Sequence, residues 1–496
     1  MDAIYYNSPK KSRRIFSGKR ILGIFFLLFL LGGFTYGGFF AWKIYAVGKK
    51  ISIENNNQPS FLETFKSLAT ENPIDIRSID PDRINILLLG IAGKGKPGQF
   101  LTDTMMIMSI DRKTNRVAFL SIPRDLFVTI PKANFSSKIN GVYQFGLNRQ
   151  DDPDSSAKID PLMSVIKNIT GLDMDYYAVL NFDGFRQAID DIGGVNIVSE
   201  RDLFDARYPG PNYSYETFEL KKGFHTLDGA TALKYARERH NDPQGDFGRA
   251  KRQQQIMQAT KNKIFSASTL FNPIALNNLL NTLGDNLVTN ITSAEIGNFL
   301  ELAKKLDTQN ITNVVLDAWN KDSLLKIVHI GPASVLIPRA GNYSEVQDLA
   351  QNIFDLNVLQ RKREEIAKED ATIAIINRSG VSQITAKIQK LLRENLDYKN
   401  VTVIHSSGKD LAEQSTVFDL TNGTKPFTAN ELVTKLPATI AYSKNVPALN
   451  TEQAAKFDII VVIGKDLTPQ YNMEEGTLED LNKSRDDQES ADFNKN

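Results

Sequence analysis

The chain has no cysteine among its 496 residues. That excludes disulfides, thiolate zinc sites and cysteine nucleophiles. Histidine is scarce too. His225, His240, His329 and His405 are too few and too scattered to suggest a multi-histidine metal site. Net charge is also missing: 59 basic residues against 58 acidic ones leave a formal +1. The overall balance therefore gives no argument for nucleic acid. No internal repeat is visible. An apolar content of 41% and a charged content of 24% are ordinary for globular protein. The length suits two or more domains, each with its own core.

The N-terminus holds a long hydrophobic run. Ile21 to Trp42, "ILGIFFLLFLLGGFTYGGFFAW", is 22 residues without a charge. As a helix it rises about 33 Å, enough to span a bilayer core. Lys10, Lys11, Arg13, Arg14, Lys19 and Arg20 precede it. By the positive-inside rule this tail is cytoplasmic and the bulk of the chain lies outside a single-pass cell membrane anchor. A cleaved signal peptide is the competing reading. The run is long for that, and no small-residue cleavage site follows.

Composition divides the chain into a basic tail (1–20), an anchor (21–46) and a polar linker (47–79). A first α/β domain then covers 80–353. "RINILLLGI", Arg83–Ile91, reads as a strand buried on both faces. "YYAVLNFDGFRQAIDDIGGVNIVSE" reads as strand, helix, Gly-Gly turn and strand. Mixed helical and strand patterns predict a central sheet covered by helices. A charged helical connector, 354–368, leads to a smaller α/β unit over 369–468. Residues 469–496 are acidic and apolar-poor, which predicts disorder.

Two segments carry candidate chemistry. In "TDTMMIMSIDRKTNRVAFLSIPRD", Thr102–Asp125, two strand-like runs flank a polar turn. A hairpin that sets Ile110 opposite Val117 brings Asp103 opposite Arg124 at its open end. A carboxylate and a guanidinium at a sheet edge suit a site. A merely structural ion pair reads the same way from this stretch alone. Asp125 is a candidate general base, or an ion-pair partner.

The second segment is "YARERHNDPQGDFGRAKRQQQ", Tyr235–Gln255. Asp228 is a candidate cap for a helix ending near Arg237. Arg237 and Arg239 can converge only if that helix stops there, because i and i+2 do not adjoin. Asp246 reads as the N-cap of a second helix. Spacings of three and four place Arg249, Arg252 and Gln253 on one face of it. Arginines in a first turn oppose the helix dipole, and a bound anion resolves the conflict. Guanidinium forks match phosphate oxygens. The sharp reading is a phosphate or pyrophosphate site, and the plain one is a solvated basic face. Lys138 is a further candidate cation. "GIAGKGKPGQF", Gly90–Phe100, is Gly-rich but lacks P-loop spacing, and reads as a lid.

Taken together, these segments resemble the LytR-CpsA-Psr family of bacterial envelope proteins. The resemblance runs colinearly from about Arg83 to Ile353, through "NILLLG", "LTDTMMIMSID", "LSIPRDLFV", "KIN", "LDGATALKYARERH" and "GDFGRAKRQQ". Residues 369–468 resemble the C-terminal domain of some members, ending here in "VVIGKDL". The resemblance implies an α-β-α catalytic domain with a central mixed sheet. It implies a phosphotransferase that moves a glycopolymer, such as teichoic acid or capsule, from a polyprenyl-pyrophosphate carrier onto a peptidoglycan hydroxyl. By position, Asp103 would hold Mg²⁺, or Mn²⁺ in its place. Arg124, Lys138, Arg237, Arg239, Arg249 and Gln253 would bind the pyrophosphate, with Arg252 and Asp246 supporting them. Asp103, Arg124, Arg237 and Arg239 would carry the catalysis.

One departure stands out. The family often has an aspartate two residues after the glycine that ends the first strand. Here Ala92 stands there, which puts metal affinity in question. A lipid-pyrophosphate phosphatase and a non-enzymatic envelope scaffold fit the same residues. The anchor topology argues against nucleic acid as a partner, and so against a transcriptional role.

Overall fold

The computed structural model describes residues 38–50 and 76–468, apart from 132, 134, 149–157, 211–213, 239–244, 271, 293–294, 319–322, 332, 341, 406–409, 437 and 448. Most of the apolar run, most of the linker and the acidic tail thus lie outside the described residues. Residues 38–50 are helical. Among the described residues no helix is long and apolar enough to cross a membrane.

In chain order the first strands are β1 (Arg83–Ile91), β2 (Thr102–Asp111), β3 (Arg116–Ile122), β4 (Phe127–Ile130), β5 (Phe135–Lys138) and β6 (Tyr176–Asn181). Next come β7 (Val195–Ser199), β8 (Leu203–Pro209), β9 (Tyr215–Leu220), β10 (Gly223–Leu227), β11 (Leu287–Thr289) and β12 (Asp307–Val315). Six of them form one sheet, in the order β11-β6-β1-β2-β3-β12. β1 pairs antiparallel with β2 and parallel with β6, so the sheet is mixed.

Strict alternation explains why both faces are buried. Leu87, Leu89, Met105, Ile107 and Leu120 enter one core with Leu162 and Ile166 of helix α1 (Asp160–Thr170). Ile84, Ile86, Ile110 and Tyr176 enter another on the opposite face. Fully burying one such side chain contributes about 1.5–3 kcal/mol. A sheet with helices on both sides is the α-β-α architecture expected.

The Gly-Gly turn is as read. After α2 (Phe182–Asp191), Gly193 and Gly194 take φ of 76° and 80°, which glycine tolerates, and the chain enters β7. β7 leaves the central sheet and pairs with β10. With the β8–β9 hairpin it builds a lobe whose core includes Val195, Tyr208, Phe218, Tyr235 and Leu279. That lobe also holds α3 (Gly229–Arg237), α4 (Gly245–Ile264) and α5 (Pro273–Asn286). The helix 38–50 joins it: Val47 packs at Gly284 of α5 and Lys50 pairs with Asp285.

The connector is helix α6 (Asn357–Glu369). The second unit is a five-stranded sheet that includes Ile373–Asn377, Val401–Ile404 and Ile459–Ile463. The Ile459–Ile463 strand also pairs antiparallel with Thr416–Asp419, a strand the sequence pattern did not reveal. Lys435, almost fully buried, reaches back to Asp348 of the first domain at 2.7 Å.

Candidate functional site

The site begins at the β2–β3 hairpin. Ile110 pairs with Val117, and the ladder runs to Met105–Ile122. Continuing that register brings the two predicted residues together: Arg124 Nη1 donates to Asp103 Oδ1 at 2.8 Å. Asp125 lies 3.6 Å from Arg124 Nε and accepts from Lys138 Nζ at 2.6 Å. Asp125 is thus an ion-pair partner that steadies Arg124. Lys138, expected to bind pyrophosphate, gives one of its three N–H donors to Asp125 and is not among the residues that line the cleft described below.

The second wall is α3. Asp228 Oδ1 accepts from Thr231 N at 2.7 Å and caps its start. The helix stops where the sequence reading required. Glu238 turns to φ −57°, ψ 135°, and Arg237 is the last helical residue. A cation in a last turn suits the helix dipole. The Arg237 guanidinium lies over the Phe182 ring, 4.6 Å from its centroid. Among the described residues Arg237 forms no ion pair. A ring holds its orientation, worth about 0.5–2 kcal/mol, and leaves its N–H donors for an anion.

The third wall is the start of α4, which supplies Arg249 and Gln253. Gln253 Nε2 donates to Thr104 Oγ1 at 3.1 Å and to Ala236 O at 3.2 Å, tying β2 to the end of α3. A cleft of about 200 Å³ results, lined by Asp103, Thr104, Arg124, Phe182, Tyr208, Pro209, Arg237, Arg249 and Gln253.

Two expectations change. Arg252 does not share the face of Arg249 and Gln253. It is buried, donating from Nε to Tyr235 O at 2.9 Å and from Nη2 to Glu238 O. These bonds turn it toward the end of α3, and it does not line the cleft as Arg249 and Gln253 do. The helix also starts at Gly245, so Asp246 falls inside its first turn rather than ahead of it. The Asp246 side chain and Arg239 lie outside the described residues.

Sequence reasoning missed Phe182, Tyr208 and Pro209. Phe182 had a faint signal, as the first residue of α2 directly after β6. Tyr208 had none, because hairpin β8–β9 reaches the cleft only through tertiary packing. Burial pushes the Tyr208 phenol above its usual pKa, against the pull of Arg237. The Gly-rich loop is closed on itself, Gly93 N donating to Gln99 O, and pinned by Lys96 to Asp183 at 2.7 Å.

Among the described residues no three His, Cys, Asp or Glu side chains gather to hold a metal. Asp103 is the cleft's one described carboxylate. Its Oδ2 accepts no hydrogen bond from the described residues. Ala92, buried, follows the Ile91–Thr102 pair and offers no ligand. One carboxylate fits an ion that draws its other ligands from phosphate oxygens and water.

A mixed sheet flanked by helices, with Arg124, Arg237 and Arg249 lining one cleft, defines an α/β protein with a cationic cleft. Residues 51–334 match the LytR_cpsA_psr family, and the chain belongs to it. It is 33% identical over 213 residues to a protein of Oceanobacillus iheyensis named polyisoprenyl-teichoic acid–peptidoglycan teichoic acid transferase TagU. That alignment covers 43% of this chain and 60% of the relative. A Bacillus subtilis protein of the same name is 29% identical over 228 residues, covering 46% of this chain and 65% of that one. The crystal structure of B. subtilis TagV aligns with 25% identity and a TM-score of 0.42, over 56% of this chain and 99% of that one.

Proposed function

We propose that this protein is a membrane-anchored phosphotransferase. It moves a glycopolymer from a polyprenyl-pyrophosphate carrier onto a peptidoglycan hydroxyl outside the membrane. The observation that carries the reading is the convergence of Asp103, Arg124, Arg237, Arg249 and Gln253 on one cleft. The family and the names of the relatives supply the substrate class.

The reaction balances without a further co-reactant. The acceptor oxygen attacks the sugar-bearing phosphorus. The bridging P–O bond breaks, polyprenyl phosphate leaves with the electron pair of that bond, and the hydroxyl proton passes to water. A pyrophosphate resists attack because of its charge, so catalysis needs positioning and charge neutralisation. Arg237, oriented by Phe182, and Arg124, oriented by Asp103 and Asp125, aim fixed donors at the phosphoryl oxygens. Gln253 adds a neutral group at the same wall. Arg239 and Asp246 complete the arginine motif by position, and Arg252 holds the end of α3 that presents Arg237.

Asp103 would hold Mg²⁺ or Mn²⁺, which would shield phosphate charge when bound. The apolar run 21–42 anchors the chain, and the acceptor is reached from the outer face.

The test is a product assay with the full-length chain in detergent. It uses a short polyprenyl-pyrophosphate sugar, Mg²⁺ and peptidoglycan oligomers, with products identified by mass. A phosphodiester-linked sugar on the glycan, lost with Arg237→Ala, is expected. Free sugar phosphate alone would make the protein a phosphatase. Tight carrier binding with no turnover would make it a binding protein.

A further inference from the structure

Hairpin β8–β9 brings to the cleft one polar atom that its own packing does not use. The strand register slips between Asp205 and Tyr208. Such irregularities re-aim side chains, and Tyr208 lines the cleft together with Arg124 and Arg237. The ring of Tyr208 is well accounted for. It lies 5.6 Å from the Phe218 ring, and Lys234 Nζ sits 5.9 Å from its centroid. Lys234 in turn pairs with Glu216 at 2.8 Å, clamping the hairpin to α3.

The hydroxyl is not accounted for. Tyr208 is 4% exposed, and its hydroxyl oxygen is buried with no hydrogen-bond partner among the described residues. Leaving such a group unpaired is disfavoured, and a phenylalanine would pack the same ring without that penalty. The atom is shielded from solvent in the wall of the cleft that Tyr208 lines with Arg124 and Arg237, so a partner that enters the cleft reaches it only by settling against that wall. Arg237 lines the same cleft, and its pull on the phenol is opposed by burial and by the carboxylates of Glu238, Glu216 and Asp205. Burial keeps the phenol protonated, so at neutral pH it donates a hydrogen bond and does not serve as a base.

We propose that Tyr208 is a substrate-contacting residue, whose hydroxyl donates a hydrogen bond to a phosphoryl oxygen of the anion held by Arg124 and Arg237. This rests on the pyrophosphate reading of the cleft. A neutral donor beside two guanidiniums adds direction without adding charge. The contact is made to an oxygen already present in the bound carrier, so it acts on binding more than on turnover.

The test uses the full-length chain in detergent and inorganic pyrophosphate as probe, by titration calorimetry. Tyr208→Phe removes only the unpaired hydroxyl and keeps the ring. Its pyrophosphate affinity is expected to fall about tenfold. KM for the lipid carrier should rise by a similar factor with kcat nearly unchanged, and Tm should not fall. Arg237→Ala serves as the reference. Tyr208→Phe binding like wild type, with Arg237→Ala at least about tenfold weaker, would overturn the proposal and leave the site reading intact. Wild-type binding by both variants would remove the site reading and this inference with it. A Tyr208→Phe variant with a lowered Tm but unchanged affinity would make the residue purely structural.

Discussion

Arg124 donates to Asp103 at 2.8 Å, across the open end of a hairpin whose ladder stops at Met105–Ile122. Both side chains keep partial exposure, 24% and 33%. A pair so placed contributes less than about 1 kcal/mol to stability. Its value lies in orientation, since it fixes a guanidinium fork at the mouth of a charged cleft.

Arg124→Ala should therefore separate activity from stability. Turnover should fall about 100-fold or more, while the thermal midpoint stays nearly fixed. Arg124→Lys should recover little, because an ammonium lacks the planar fork. The product assay and a melting curve on the same preparation decide it. Full turnover by Arg124→Ala would show that the hairpin pair is only structural.

Arg252 predicts the opposite pattern. Its guanidinium serves the carbonyls of Tyr235 and Glu238, at the end of the helix that presents Arg237. Arg252→Ala removes both of these bonds at a buried site. Stability should drop by about 2 kcal/mol, seen as a lower urea midpoint at unchanged slope. Activity should fall as a consequence of the loosened α3 terminus. A variant as stable as wild type that has lost only pyrophosphate binding would return Arg252 to the substrate.

Legibility from sequence followed the range of the interactions. The Asp103–Arg124 pairing was readable because a two-strand register is local: the polar turn Asp111–Asn115 fixes every opposite pair. The end of α3 was readable from "NDPQG" and from the need to bring arginines together. Arg249 and Gln253 followed from helical spacing. Arg252 did not, because spacing alone does not say which of two neighbouring faces turns inward. Phe182 and Tyr208 lay beyond reach. They arrive from α2 and from a side hairpin, and only the packed lobe brings them to Arg237. In the second domain the Thr416–Asp419 strand was hidden for a similar reason. It is four residues long, and its antiparallel partner Ile459–Ile463 lies far along the chain.

The entry of the chain into the first domain carries a pH dependence. Glu295 is buried, accepting from Arg77 Nε at 2.8 Å, Tyr176 OH at 2.7 Å and Thr292 N at 2.9 Å. Burial alone would raise its pKa. The hydrogen bonds from Arg77, Thr292 and Tyr176 outweigh that and leave it below the usual carboxylate range. A lowered folded-state pKa means that the unfolded chain takes up the proton first. The stabilisation is therefore present above the unfolded value and is lost as pH falls through the folded one. Glu295→Gln should melt lower at neutral pH, by about 1–3 kcal/mol. Its melting temperature should also depend less on pH, so the two curves converge in acid. Parallel curves would remove Glu295 from the acid response.

The proposed use of a metal ion is tested at Ala92. In the cleft Asp103 is the one described carboxylate, and Ala92 stands where the family often has a second. Activity should therefore need Mg²⁺ and be lost to EDTA, but half-saturation should require a high metal concentration, since one carboxylate binds a hard cation weakly. Ala92→Asp should lower the Mg²⁺ needed by about tenfold if the new carboxylate reaches the same ion. Residue 92 is buried, and an unpaired carboxylate there costs stability. The variant should thus melt below wild type without metal and regain stability as Mg²⁺ is added, because a ligand that binds only the folded state stabilises it by mass action. Wild type should shift far less. A variant whose melting temperature ignores Mg²⁺ would place position 92 away from the ion, and the departure at Ala92 would then carry no consequence for the metal.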